Sequence, residues 1–275
     1  MNSTKSLPSS LMVLSKLTTL KIDVEDYIAT VTLARSDKRN AFDDEVIAEL
    51  NKAFTQLGDS EVVRVIVLAA EGKAFCAGAD LNWMRAMADY SREENLADAN
   101  KLAQMLHTIY SCPKPTIAAI QGDVYAGGIG LVTACDIAIA VESANFCLSE
   151  VRLGLVPATI SPYVIRAMGA RTAHRYFLTA EVFDAIEAEK IGLIHQSVEP
   201  QNLEATVATI AKKLRNNSPN AVKECKQLLQ YVAGQPIDNK LIEQTVAGIA
   251  DIRASDEGKE GVQSFLQKRK PNWLS

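Results

Sequence analysis

Residues 115–153 read PTIAAIQGDVYAGGIGLVTACDIAIAVESANFCLSEVRL. The run Thr116-Ile117-Ala118-Ala119-Ile120 carries no charge. Such a run fits a strand covered on both faces, although periodicity alone leaves a buried helix open. Gly127 and Gly128 then offer backbone freedom and unhindered N–H groups where residues 129–134 begin a helix. A second strand follows, and after it a single acid, Glu150, stands among Phe146, Cys147, Leu148, Val151 and Leu153. This combination can hold an anion and move a proton, or it can be plain core packing.

Outward from this stretch the chain alternates strands and helices. Residues 17–24 and 27–33 form a strand pair around Glu25-Asp26. Asp43 or Asp44 caps a helix whose Val46, Ile47, Leu50, Phe54 and Leu57 share one face. Residues 62–70 make a buried strand, and Ala77-Gly78-Ala79-Asp80-Leu81 is a second glycine turn leading into a helix. An amphipathic helix is expected over 91–111. Short helices over 158–168, 171–178 and 185–190 lead to a last strand over 193–198. From residue 203 onward the signals are helical: 203–216, 219–232, 241–253 and 258–268. The reading is an α/β chain with an all-helical C-terminal part.

Composition excludes several classes. With 29 basic and 33 acidic residues the formal net charge is −4, which argues against non-specific nucleic-acid binding. No apolar run of 18 residues occurs, so no membrane span is expected. The five cysteines form no CxxC pair, and the reading is a reducing, intracellular setting. His107, His174 and His195 are widely spaced, which argues against a metal site. Residues 1–16 are hydroxyl-rich and are expected to form a disordered extension.

Three chemical readings follow from the residues. The turns at Gly78-Ala79 and Gly127-Gly128 each precede a helix, where first-turn N–H groups lack internal partners. Two such groups aimed at one point make an oxyanion hole, while the plain alternative is a pair of tight turns. Glu150 in apolar surroundings suits proton transfer, or it is a structural acid paired with Arg152. Gly128-Ile129-Gly130 resembles part of a dinucleotide fingerprint, but Thr133 stands where its third glycine belongs. Neither a GxSxG elbow nor a GxxxxGK[ST] loop is present.

Ser36-Asp37-Lys38-Arg39-Asn40-Ala41, then Ala74-Phe75-Cys76-Ala77-Gly78-Ala79-Asp80-Leu81 and Ala126-Gly127-Gly128, stand in a specific order. They continue through Ala134-Cys135-Asp136-Ile137-Ala138 to the run from Ser149 to Pro157. In these residues the chain resembles the crotonase, or enoyl-CoA hydratase/isomerase, superfamily. The resemblance implies a ClpP/crotonase-like spiral of ββα units over residues 17–202. It implies a helical oligomerisation region over 203–275, in a homotrimer or homohexamer. Carried over by position, Ala79 and Gly127 would donate the oxyanion-hole N–H groups. Ala77, Ala79, Asp80 and Leu81 would line the bound CoA thioester, Lys38, Asn40 and Ala41 would lie near its nucleotide or pantetheine arm, and Phe265 and Lys268 would close over it. Coenzyme A belongs to the substrate, and no further cofactor or metal is implied. The setting would be the bacterial cytoplasm, or the mitochondrial matrix in a eukaryote.

Hydratases of this superfamily commonly carry two glutamates, and the first falls at Gly130 here. Only Glu150 remains. The surrounding sequence resembles most closely the bacterial methylglutaconyl-CoA hydratases of leucine and isovalerate breakdown, which implies hydration of a branched 2-enoyl-CoA. Arg152, two residues on along an extended segment, would share the face of Glu150 and meet a distal substrate carboxylate, or pair with Glu150 itself. A 3-enoyl-CoA to 2-enoyl-CoA isomerase using Glu150 alone is the alternative. A non-catalytic CoA- or RNA-binding member is another.

Overall fold

The structure, a computed structural model, describes residues 7–274. Its order begins with β1 (Leu20–Glu25) and β2 (Ile28–Leu33), a hairpin, followed by α1 (Asp44–Asp59). Two strands and two helices come next: β3 (Val65–Ala70), β4 (Ala74–Cys76), α2 (Leu81–Ala88) and α3 (Arg92–Tyr110). The pattern repeats with β5 (Thr116–Ile120), β6 (Asp123–Tyr125) and α4 (Gly127–Ala134). It repeats again with β7 (Ile137–Val141), β8 (Asn145–Cys147), α5 (Ser161–Met168) and α6 (Ala170–Thr179). The chain closes with β9 (Phe183–Asp184), α7 (Ala185–Lys190), β10 (Gln196–Val198), α8 (Leu203–Asn216), α9 (Pro219–Val232), α10 (Asn239–Ala254) and α11 (Asp256–Leu266).

Each repeat gives its first strand to one sheet and its second to another. The larger sheet runs β1-β2-β3-β5-β7-β10, parallel except for the β1–β2 hairpin. The smaller runs β4-β6-β8-β9, with β4, β6 and β8 parallel. This is the expected spiral of ββα units. The uncharged run of β5 is a strand covered on both faces. Ala118 and Ile120 belong to the main core with α1 and α3, while Ile117 joins Val65, Val67 and Ile139 under α8.

Helix ends follow their caps. Asp43 accepts the Val46 N–H at the start of α1, and Ser91 and Glu94 form a reciprocal capping box at α3. The 158–168 helix begins only at Ser161, because residues 157–160 turn first.

One expectation changes. Residues 9–16, expected in a disordered extension, form a 3-10 helix whose Leu11 and Leu14 are fully buried against the core. The first six residues of that extension lie outside the described residues. Of the C-terminal helices, α8 covers the larger sheet, with Val207 and Ala211 packed on Val65, Val67, Ile117 and Ile139. α10 and α11 leave apolar side chains such as Ile242, Val246, Val262 and Phe265 open to solvent, and α9 does the same with Leu228 and Leu229.

Candidate active site

Three turns follow three adjacent parallel strands, β4, β6 and β8, at their C-terminal ends, where open α/β sheets commonly bind ligands. The first is Ala77-Gly78-Ala79. Gly78 has φ +90°, a conformation that a side chain resists. Phe42 forms a parallel bridge to Ala79. Its N–H donates to the Gly78 carbonyl at 2.7 Å, and its carbonyl accepts from Asp80 N–H at 2.7 Å. Both bonds go to the neighbours of Ala79, so the Ala79 N–H points away from Phe42 and meets no acceptor among the described residues.

The second turn places Gly127 first in α4, where its N–H has no partner inside the helix. Ala126 before it holds φ 48° and ψ −123°, costly for a residue with a side chain, and its N–H is anchored on the Cys147 carbonyl at 2.8 Å. The two turns touch: a Cβ at Gly78 would stand 3.1 Å from that of Ala126.

The third turn carries Glu150, three residues beyond β8. Its Oε2 is buried and has no hydrogen-bond partner. Burial pushes its carboxyl above the ordinary glutamate range, only partly offset by its own backbone N–H. An orphaned buried carboxyl oxygen is expensive unless a ligand or water completes it. This arrangement can polarise a thioester carbonyl at two N–H groups and exchange a proton with an adjacent carbon.

The other expected residues fall into three groups. Asp80 caps α2, accepting from Asn82 N–H at 2.8 Å, with Lys38 at 3.3 Å and Arg35 at 3.5 Å on its other oxygen. Burial opposes its charge, but the Asn82 and Lys38 hydrogen bonds outweigh that and hold its carboxyl below the usual value. Asp80 is thus a tether for the turn and for Lys38. Asn40 and Ala41 are buried. Asn40 bonds the Glu71 and Ala74 carbonyls at 2.8 and 2.9 Å and accepts from Arg35 N–H at 3.0 Å, so it holds loops together. Ala77, half-buried, and Leu81, 70% exposed, border the open side of the first turn. Phe265 and Lys268 lie at the far end of the chain on and beyond α11, which packs on α9 and α10, and Phe265 is 82% exposed.

Arg152 is a correction. Glu150–Leu153 is a 3-10 turn, not an extended segment. At about three residues per turn, positions i and i+2 lie on different sides. The guanidinium donates to the Ala180 carbonyl, and no ion pair with Glu150 occurs among the described residues.

Gly130 is closed to any side chain. A Cβ there would stand 2.4 Å from Ile160 Cγ2 and 3.3 Å from Leu106 Cδ2. The space that a second carboxylate needs is filled by isoleucine. Neither Ile160 nor Phe42 is singled out by sequence, since each reads as an ordinary apolar residue. Leu153, Leu155 and Val156 after Glu150 are exposed, which gives this side of the site an apolar rim. A cavity of about 640 Å³ lies elsewhere, lined by Tyr110, Tyr163, His195 and the Asp136–Lys226 ion pair. Its acid is already neutralised at 2.8 Å, so the chemistry favours Glu150.

Residues 23–275 match the family model described as enoyl-CoA hydratase/isomerase, and the chain belongs to that family. Among solved structures, an enoyl-CoA hydratase from Shewanella pealeana superposes with a TM-score of 0.94 at 43% identity, covering 97% of this chain and 100% of that one. A short-chain-enoyl-CoA hydratase of Clostridium acetobutylicum is 32% identical over 257 residues, 93% of this chain and 97% of the relative. A mevalonyl-coenzyme A hydratase of Aspergillus fumigatus is 33% identical over 253 residues, 90% of this chain and 91% of the relative. No helix of the described residues is long and apolar enough to cross a membrane.

Proposed function

We propose that the protein catalyses reversible hydration of a branched 2-enoyl-CoA, of the methylglutaconyl-CoA type met in leucine and isovalerate breakdown. The class is an enoyl-CoA hydratase, a lyase acting on acyl-CoA thioesters. The observation that carries the reading is the partnerless, buried Glu150 Oε2 beyond two turns with free N–H groups. The thioester oxygen accepts from Ala79 and Gly127. Glu150, as carboxylate, takes a proton from water as the water oxygen bonds to C3. The C2–C3 π electrons move onto the thioester oxygen as an enolate. Glu150, now protonated, returns a proton to C2, so one water is added and the enzyme is restored. Each N–H is worth about 3–4 kcal/mol in a dry site.

A branched acyl group is supported by the apolar rim of Leu81, Leu153, Leu155 and Val156. The likeness to a hydratase of mevalonyl-CoA, whose acyl group is methyl-branched, points the same way. Lys38, exposed and drawn in by Asp80, is proposed to meet the nucleotide or pantetheine arm, with Ala77 and Leu81 along it. Oligomerisation through the open apolar faces of α10 and α11 would bring Phe265 and Lys268 to a neighbouring subunit's site. The closed position at Gly130 favours one further reading, an isomerase that moves a proton between C4 and C2 with Glu150 alone.

Assay with methylglutaconyl-CoA, 3-methylcrotonyl-CoA, crotonyl-CoA and a 3-enoyl-CoA separates these readings. Hydration fastest on the branched 2-enoyl thioesters supports the proposal. Conversion of the 3-enoyl thioester without hydration of any 2-enoyl thioester supports the isomerase and refutes it.

A further inference from the structure

Phe42 touches both halves of the paired-turn site by different means. Its backbone brackets Ala79, with two 2.7 Å hydrogen bonds to Gly78 and Asp80. Its ring lies against the other turn: a Cβ at Gly127 would stand 3.0 Å from Phe42 Cε2 and 3.3 Å from Cδ2. The side chain is 1% exposed, so the ring cannot swing away into solvent. On its C-terminal side Asp43 caps α1. On its N-terminal side Ala41 N–H is bonded to the Lys38 carbonyl at 3.1 Å. Phe42 is therefore a fixed spacer between turns that belong to separate ββα units.

We propose that Phe42 is a positioning residue that sets the separation of the Ala79 and Gly127 N–H groups. The inference rests on the reading of those two groups as an oxyanion hole. Two donors must converge on the position that the oxyanion occupies, and they act only within hydrogen-bond distance of it. Shortening the side chain at residue 42 leaves the backbone bridge to Ala79 in place, because that bridge uses no side-chain atom. It removes the packing that holds Gly127, and one donor drifts relative to the other.

The test uses the full-length enzyme with Phe42→Leu, Phe42→Met and, as a packing control, Phe54→Leu, a core position on α1 that is equally buried. Two readouts are taken: steady-state kinetics on the preferred enoyl-CoA, and the absorbance of bound cinnamoyl-CoA, whose conjugated thioester shifts red when its carbonyl is polarised. Phe42→Leu is expected to lose about tenfold in kcat, part of the roughly 10²–10³ lost when a donor is removed outright. Its KM should change by less than about twofold, the pattern of an interaction made in the transition state. The red shift should shrink in Phe42→Leu, recover in Phe42→Met, whose longer side chain reaches the glycine, and persist in Phe54→Leu. Equal kcat and equal red shift in Phe42→Leu and Phe54→Leu would overturn the inference while leaving the oxyanion hole standing. Absence of any red shift in the wild-type protein would instead overturn the oxyanion reading, and this inference with it.

Discussion

Substituting Gly130 tests directly why this site has one carboxylate. The Cβ of Gly130→Ala would lie 2.4 Å from Ile160 Cγ2 and 3.0 Å from Ile160 Cβ. Carbon atoms prefer about 3.5–4.0 Å, so the overlap exceeds about 1 Å. Ile160 is β-branched and buried, so its χ1 is restricted and its side chain has little room to withdraw. Overpacking costs about 1–3 kcal/mol, an overlap of this size about 2–3, and the better helix propensity of alanine returns about 1 kcal/mol. A net loss of about 1–2 kcal/mol should lower the melting temperature by roughly 2–8 °C in a domain of this size. Ile160→Ala alone should cost about 2–4 kcal/mol through the cavity it leaves. In the double variant the Cγ2 clash is gone, so the two losses should not add, with a coupling of about 1–2 kcal/mol. Denaturant unfolding at fixed protein concentration measures all four corners of the cycle. A Gly130→Ala protein as stable as wild type, or a strictly additive cycle, would refute the reasoning.

Glu150→Gln should be more stable than wild type at neutral pH. The folded-state pKa of Glu150 is raised, so its neutral form favours folding below the unfolded pKa and that advantage is lost as pH rises through the folded value. The melting-temperature gain of Glu150→Gln should therefore grow with pH across and above the ordinary glutamate range and vanish in acid; a gain independent of pH contradicts burial of the charge. Asn40→Ala should cost about 2–3 kcal/mol in denaturant unfolding, since it orphans the Arg35 N–H and the Glu71 carbonyl and leaves the Ala74 carbonyl to Gln121 alone. A loss below about 0.5 kcal/mol would mean that Asn40 is free to bind ligand instead. Thiol titration of the native protein should find Cys225 reacting first, because it alone among the five cysteines is exposed and burial lifts Cys76 and Cys135 to about 12. Fast reaction of several thiols would contradict the buried placement.

Much of this architecture is legible along the chain because its signals are local. The uncharged run at β5, the Asp43 cap and the paired glycine turns each state their conformation within a few residues. The pairing of the two turns is not local, since it depends on β4 and β6 becoming neighbours in the smaller sheet. Only the family resemblance joins Ala79 to Gly127 in advance. Arg152 shows the converse problem. Its expected face rested on an extended segment, but Gly154, with φ +71°, ends a 3-10 turn there instead. Asn40 and Asp80, polar residues within family motifs, read naturally as ligand contacts. Their hydrogen bonds go to the loops of this chain, and only the three-dimensional partners reveal that. The role of Ile160 was illegible for a plain reason: nothing in an apolar residue announces which missing side chain it replaces.

The central claim is that Glu150 alone carries the proton for chemistry at the paired-turn site. Its most direct test is kcat/KM for hydration of a branched 2-enoyl-CoA, followed by loss of enoyl-thioester absorbance with no cofactor added, in wild type and Glu150→Gln. Glutamine keeps the shape and removes the proton exchange, and general acid–base catalysis of this kind contributes about 10²–10⁴-fold. The account predicts cofactor-free turnover by wild type and a fall of at least about a hundredfold in the variant. Undiminished hydration by Glu150→Gln would contradict it.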